Sequence, residues 1–147
     1  FSNWLLLPEG PVTWAAVREA LEARRLVVVF DLLGPPAGFE VWAEGPAGRT
    51  PLGAEAAFAP DTTLRVILPT APAGAEVEGV LWRIDAEGQR HAVAEFSELL
   101  AWPVAEPGVY RVEVRQVPHH LAAELGPDWA RFVRPLTWIC ANAIALR

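Results

Sequence analysis

The sequence predicts a mainly β fold, an antiparallel β-sandwich of about seven strands led by one N-terminal amphipathic helix. Three observations carry this. Beyond Arg25, apolar residues come either as short β-branched runs or in strict alternation with polar ones. Clusters of Gly and Pro separate those runs at the spacing of a meander or sandwich. Helical periodicity is sustained once, ahead of the first run.

The helix opens at Thr13, whose hydroxyl can accept from an otherwise orphaned amide, and continues through Trp14-Ala15-Ala16-Val17-Arg18-Glu19-Ala20-Leu21-Glu22-Ala23-Arg24. Trp14, Val17 and Leu21 recur at steps of three and four, so they form its packing face. Arg24 and Arg25 complement the dipole at its C-terminal end.

Leu26-Val27-Val28-Val29-Phe30 follows as a continuous apolar run, the pattern of a strand covered on both faces, and Gly34-Pro35-Pro36 ends it. Further strands are expected over Phe39 to Glu44, Leu64 to Leu68, Val80 to Ile84, His91 to Phe96, Val109 to Val117 and Leu136 to Leu146. Turn signals between them are Gly45-Pro46-Ala47-Gly48, Pro72-Ala73-Gly74, Asp85-Ala86-Glu87-Gly88 and Glu106-Pro107-Gly108. Leu121, Leu125 and Trp129 repeat at helical spacing, so a short helical or loop insertion precedes the last strand.

With 147 residues the chain fits a single domain, residues 1–147, and 52% hydrophobic against 20% charged residues supplies ample surface for a core. A formal charge of -6, with no Lys, leaves no basic footprint for nucleic acid. The longest apolar run is far shorter than the roughly 20 residues of a membrane-spanning helix, so no membrane partner is expected. The lone Cys140 cannot close an internal disulfide, which leans towards a reducing, cytoplasmic setting. Phe1 enters an apolar stretch directly, without a basic region before it or a small-residue cleavage site after it. The expectation is therefore a C-terminal part of a longer protein.

No complete catalytic or metal-binding constellation is visible. His91, His119 and His120 lack the spacing of a metal site, and Cys140 lies in an apolar strand-like run that suits an inert thiol. Ser2 and Ser97 have neither a Gly-x-Ser-x-Gly elbow nor a nearby base. Glu113 with Asp31 or Asp85 is the only carboxylate pairing worth naming, and spacing alone cannot place such a pair across a cleft.

Arg111, Glu113 and Arg115 project from one strand face. They read as a solvated face with cross-strand ion pairs, in preference to an anion site built from paired guanidinium groups. Most of the tryptophans, Trp82 among them, are expected in the core. Trp42 is the exception, since it shares a face with Glu40 and Glu44. These three residues mark a candidate domain interface, covered by the Thr13 helix, by an upstream domain or by a ligand.

Three blocks in order resemble the C-terminal part of bacterial PHP-domain proteins, the polymerase-and-histidinol-phosphatase superfamily of metal-dependent phosphoesterases. They are Ala20-Leu21-Glu22-Ala23-Arg24-Arg25 followed by Phe30-Asp31-Leu32-Leu33-Gly34 and Gly38-Phe39, then Pro107-Gly108-Val109-Tyr110-Arg111-Val112-Glu113, and last Trp138-Ile139-Cys140-Ala141-Asn142-Ala143-Ile144-Ala145-Leu146-Arg147. In the last block Ala141, Ala143 and Ala145 stand where the family pattern has Ser, Pro and Tyr.

The resemblance implies that the divalent metals and the phosphoester chemistry belong to an upstream domain of the same polypeptide. That domain is the implied partner. Its His-x-His and Asp-x-His motifs do not occur here, so no catalytic residue and no cofactor ligand carries over. The alternative is an independent carbohydrate- or ligand-binding module, suggested by the seven tryptophans.

Overall fold

A computed structural model describes all residues, 1–147. In chain order the strands are β1 (Ser2–Leu5), β2 (Leu26–Val29), β3 (Glu40–Gly45), β4 (Gly48–Pro51), β5 (Glu55–Ala56), β6 (Thr63–Ile67), β7 (Glu76–Ile84), β8 (Arg90–Phe96), β9 (Leu100–Pro103), β10 (Gly108–Val117) and β11 (Leu136–Leu146). Helix α1 (Trp14–Glu22) lies between β1 and β2. A 3-10 turn (Asp31–Leu33) follows β2. Between β10 and β11 runs a strap made of a 3-10 turn (His119–Leu121), the short helix α2 (Ala122–Leu125) and a further 3-10 stretch (Gly126–Phe132).

The strands form a 7-stranded sheet ordered β1-β2-β11-β10-β7-β8, with β5 joined to β11, and a 4-stranded sheet ordered β4-β3-β6-β9. All pairings are antiparallel except the two-residue β5–β11 contact, which is parallel. The mainly β sandwich with its leading helix and late insertion is thus present, with eleven strands in place of about seven.

All the expected strands occur. Four more, β1, β4, β5 and β9, are at most four residues long or contain Pro, and take their order from a neighbour already in place.

A cluster of 17 buried side chains fills the space between the sheets. Val27 and Val29, then Tyr110, Val112 and Val114, then Ala43, Leu64 and Val66 supply it by period-two alternation from β2, β10, β3 and β6. Trp138 is its largest member, and its indole N–H donates to the Gly34 carbonyl at 2.8 Å, which fixes the 3-10 turn over the core.

The final strand departs from simple alternation. Register shifts between Arg111 and Glu113, and between Val114 and Arg115, mark two bulges in the β10–β11 pairing. One lets the consecutive residues Trp138 and Ile139 both enter the core. The other frees Asn142, whose amide donates to the Arg24 carbonyl at 3.0 Å.

Asn142 thereby holds the end of α1. Thr13 caps its start as expected, accepting from the Ala16 amide. At the other end Arg24 takes a left-handed φ of 57°, with Arg24 N–H bonded to Leu21 O and Arg25 N–H to Ala20 O. This is a Schellman closure with arginine where glycine is commoner. Gly53 presses on the same turn at φ 85°, so close that a Cβ would fall on the Ala23 and Arg24 carbonyl oxygens.

The packing face of α1 differs from expectation. Ala20 is its buried residue, with Ala16 and Val17 half-buried, whereas Trp14 is 70% and Leu21 47% exposed. Only small side chains fit beside a helix drawn this close by Asn142 and Gly53.

The tryptophans also depart from a core role. Trp138 alone is fully buried, while Trp42, Trp82 and Trp102 are half-buried and Trp4, Trp14 and Trp129 exposed. Gly53→Ala is expected to lower unfolding stability by on the order of 2 to 4 kcal/mol, through the clash and the positive φ together. Urea denaturation of the two proteins measures it.

Candidate functional site

The alternating charges of β10 point outwards from the 7-stranded sheet, since their neighbours Val112 and Val114 are buried on the opposite side. Arg115 bonds Glu113 through Nε at 3.0 Å and lies 3.6 Å from Glu78 on β7. Glu113 also accepts from the Thr137 hydroxyl at 3.1 Å. Burial pushes the Glu113 carboxyl up, but the bond and charge of Arg115, the Thr137 hydroxyl and the charge of Arg90 outweigh it, leaving its pKa below the usual range. Arg115 is raised mainly by the same Glu113 bond. Two of the three β10 charges are therefore mutually neutralised.

Arg111 is the third, and it is exposed with neither a carboxylate nor a ring against it. Every other strand arginine has a partner. Arg49, Arg65, Arg83 and Arg115 pair with glutamates, and Arg90 lies 3.6 Å from the Trp82 ring centroid. Arg111 sits at a shallow depression of about 260 Å³ with Leu26 and Val28 of β2, Ile84 of β7, and Cys140 and Asn142 of β11.

This face of β2 corrects a second expectation. The run Leu26 to Phe30 predicts cover on both sides, yet only Val27 and Val29 are buried, while Leu26 and Val28 stay half-buried and Phe30 is 43% exposed.

Trp42 lies on the outer face of the smaller sheet with Glu40 and Glu44. Arg49 covers its ring at 4.2 Å from the centroid and pairs with Glu40 at 3.1 Å, while Arg65 pairs with Glu44 at 3.1 Å. The cover therefore includes a side chain from the adjacent strand β4, which alternation within β3 could not reveal. Arg49 on the ring is worth about 0.5 to 1 kcal/mol at such an exposed position.

The remaining candidates stay apart. Asp31 accepts from the Ser2 hydroxyl and faces the Phe1 ammonium at 3.5 Å. Asp85 binds His91 Nε2 at 2.7 Å and the Gln89 amide at 2.7 Å inside the β7–β8 turn, and the His91 bond is the main reason its pKa is lowered. Val80, not Asp85, lies opposite Glu113, which leaves Asp85 five residues further on, just past the end of β7 and roughly 16 Å away at strand rise. His119 lies 3.5 Å from Glu76 and edge-on to Trp129, and no three His, Cys, Asp or Glu side chains gather as a metal-holding group.

Exposed apolar side chains form the other conspicuous feature. Phe1, Trp4, Leu6, Val12, Trp14, Leu21, Phe30 and Leu32, all at least 41% exposed, lie on or beside β1, on α1 and its lead-in, and directly after β2, while Leu99, Trp129, Phe132 and Val133 are exposed elsewhere. β1 is an edge strand of the larger sheet. No protein-family model, curated protein or solved structure matches the chain.

Because the folded pKa of Glu113 is depressed below that of a free glutamate, its contribution is complete above the unfolded pKa and is lost as pH falls through the folded one. Glu113→Gln is expected to lower stability at pH 7 and to flatten the pH dependence below about 4.5. Denaturation midpoints from pH 7 to pH 2 test this, and identical acid limbs would contradict it.

Proposed function

We propose that these residues form a non-catalytic accessory domain that docks on a metal-dependent phosphoesterase-type domain of the same polypeptide. The observation that carries this reading is the concentration of exposed large apolar side chains on β1, α1 and the turn after β2. Isolated apolar residues on a surface need no explanation, but a set gathered on neighbouring elements at one sheet edge marks a surface made to be covered.

The resemblance to PHP-domain proteins supplies the identity of that cover. Its blocks coincide with elements that set the shape of the domain. The first covers the end of α1 and the 3-10 turn on either side of β2; the second begins β10; the third forms most of β11. Several of their residues have specific structural tasks. Gly108 leaves room for the Arg83 side chain, Trp138 anchors the core, and Asn142 holds the Arg24 carbonyl. At the departure from the family pattern, the Ala143 amide donates to Asn142 Oδ1 at 3.0 Å, a bond that proline could not make.

Hydroxyl-radical footprinting of the complete gene product beside this chain alone tests the reading. Trp4, Trp14 and Leu32 are expected to oxidise several-fold more slowly in the complete product. The chain alone, supplied with magnesium, manganese or zinc, is expected not to turn over p-nitrophenyl phosphate. Equal oxidation in both proteins, or turnover by the chain alone that survives purification, would overturn the proposal.

A further inference from the structure

Three features of the outer face of the 7-stranded sheet belong together. The first is the doubly apolar run of β2, a pattern suited to cover on both sides, whose Leu26 and Val28 are only half-buried. The second is the shallow depression between β2, β11, β10 and β7, floored by Leu26, Val28, Ile84 and Cys140. The third is Arg111 at that depression, the only strand arginine without an anionic or aromatic partner in a chain of net charge -6. Acidic side chains outnumber basic ones, 18 to 12, and yet none is placed against this guanidinium.

We propose that this outer face, centred on Arg111, is a second docking surface for the neighbouring domain, and that it receives a carboxylate flanked by apolar side chains. The proposal rests on the accessory-domain reading and adds a chemical requirement to it. A guanidinium presents parallel N–H donors that fit a carboxylate in bidentate fashion, and apolar walls that exclude water strengthen such a pair. Apolar groups beside the carboxylate would complete the burial that Leu26 and Val28 lack. Leu5 of β1 pairs in register with Leu26, and Asn3 with Val28, so the face continues onto β1 through those two residues, while Trp4 pairs with Val27 and lies on the other face.

Cys140 lies in the depression and is the only thiol of the chain, which makes it a built-in reporter. The test is the rate of Cys140 alkylation by a small maleimide, read by peptide mass spectrometry, in the complete gene product and in this chain alone. Expected is a several-fold slower reaction in the complete product. Arg111→Glu should return it to the rate of the chain alone, while Arg111→Lys keeps most of the protection.

The Arg111 side chain makes no hydrogen bond or ion pair within the chain, so its variants are expected to keep the wild-type thermal midpoint. If Arg111→Glu does not fold, Arg111→Ala takes its place. Equal alkylation in the two wild-type proteins overturns the proposal, as does protection indifferent to Arg111→Glu. Protection that arises in the chain alone as its concentration rises would assign the face to a second copy and also overturn it. Should Trp4 and Trp14 be protected while Cys140 is not, this proposal fails and the accessory-domain reading stands; if none is protected, both fail.

Discussion

The doubly bulged pairing of β11 with β10 is the constraint on which the rest of the molecule depends. A regular strand from Leu136 to Leu146 would alternate strictly, and either Trp138 or Ile139 would face solvent. The first bulge sends both inwards, so the indole reaches the Gly34 carbonyl and fixes the turn after β2. The second releases Asn142 to bond Arg24, which, with the bare Cα of Gly53, holds the end of α1 close. Core, helix attachment and the shape of the outer face all follow from one strand that bonds β10, β2 and β5.

The two outer faces differ in how complete they are. On the smaller sheet each charge has a partner within the domain, and Arg49 lies on the Trp42 ring between Glu40 and the indole. That surface is finished in water, though ion pairs so exposed add little stability. On the larger sheet Glu113 and Arg115 satisfy each other, while Arg111, Leu26 and Val28 remain open, and the exposed Phe1 lies beside the edge strand β1.

Much of the fold was legible because the pleat writes itself into period-two alternation. β3, β6, β8, β10 and β11 are plain in the sequence, as is the Thr13 cap. Less legible were elements whose order comes from elsewhere. β4 and β9 carry Pro and follow β3 and β6, β5 is two residues long, and β1 resembles a bare apolar stretch until β2 gives it a partner. The face of α1 was misread because Trp14 and Leu21 have helical spacing, whereas the space between helix and sheet admits only Ala16, Val17 and Ala20. Bulges leave no mark in composition, so the role of Asn142 emerges only from register.

The proposed accessory role beside a metal-dependent phosphoesterase-type domain is tested most directly by reading the codons upstream of Phe1. A long open frame encoding a His-x-His motif and a later Asp-x-His motif is the predicted result. A reading frame that begins within a few residues of Phe1 would contradict it.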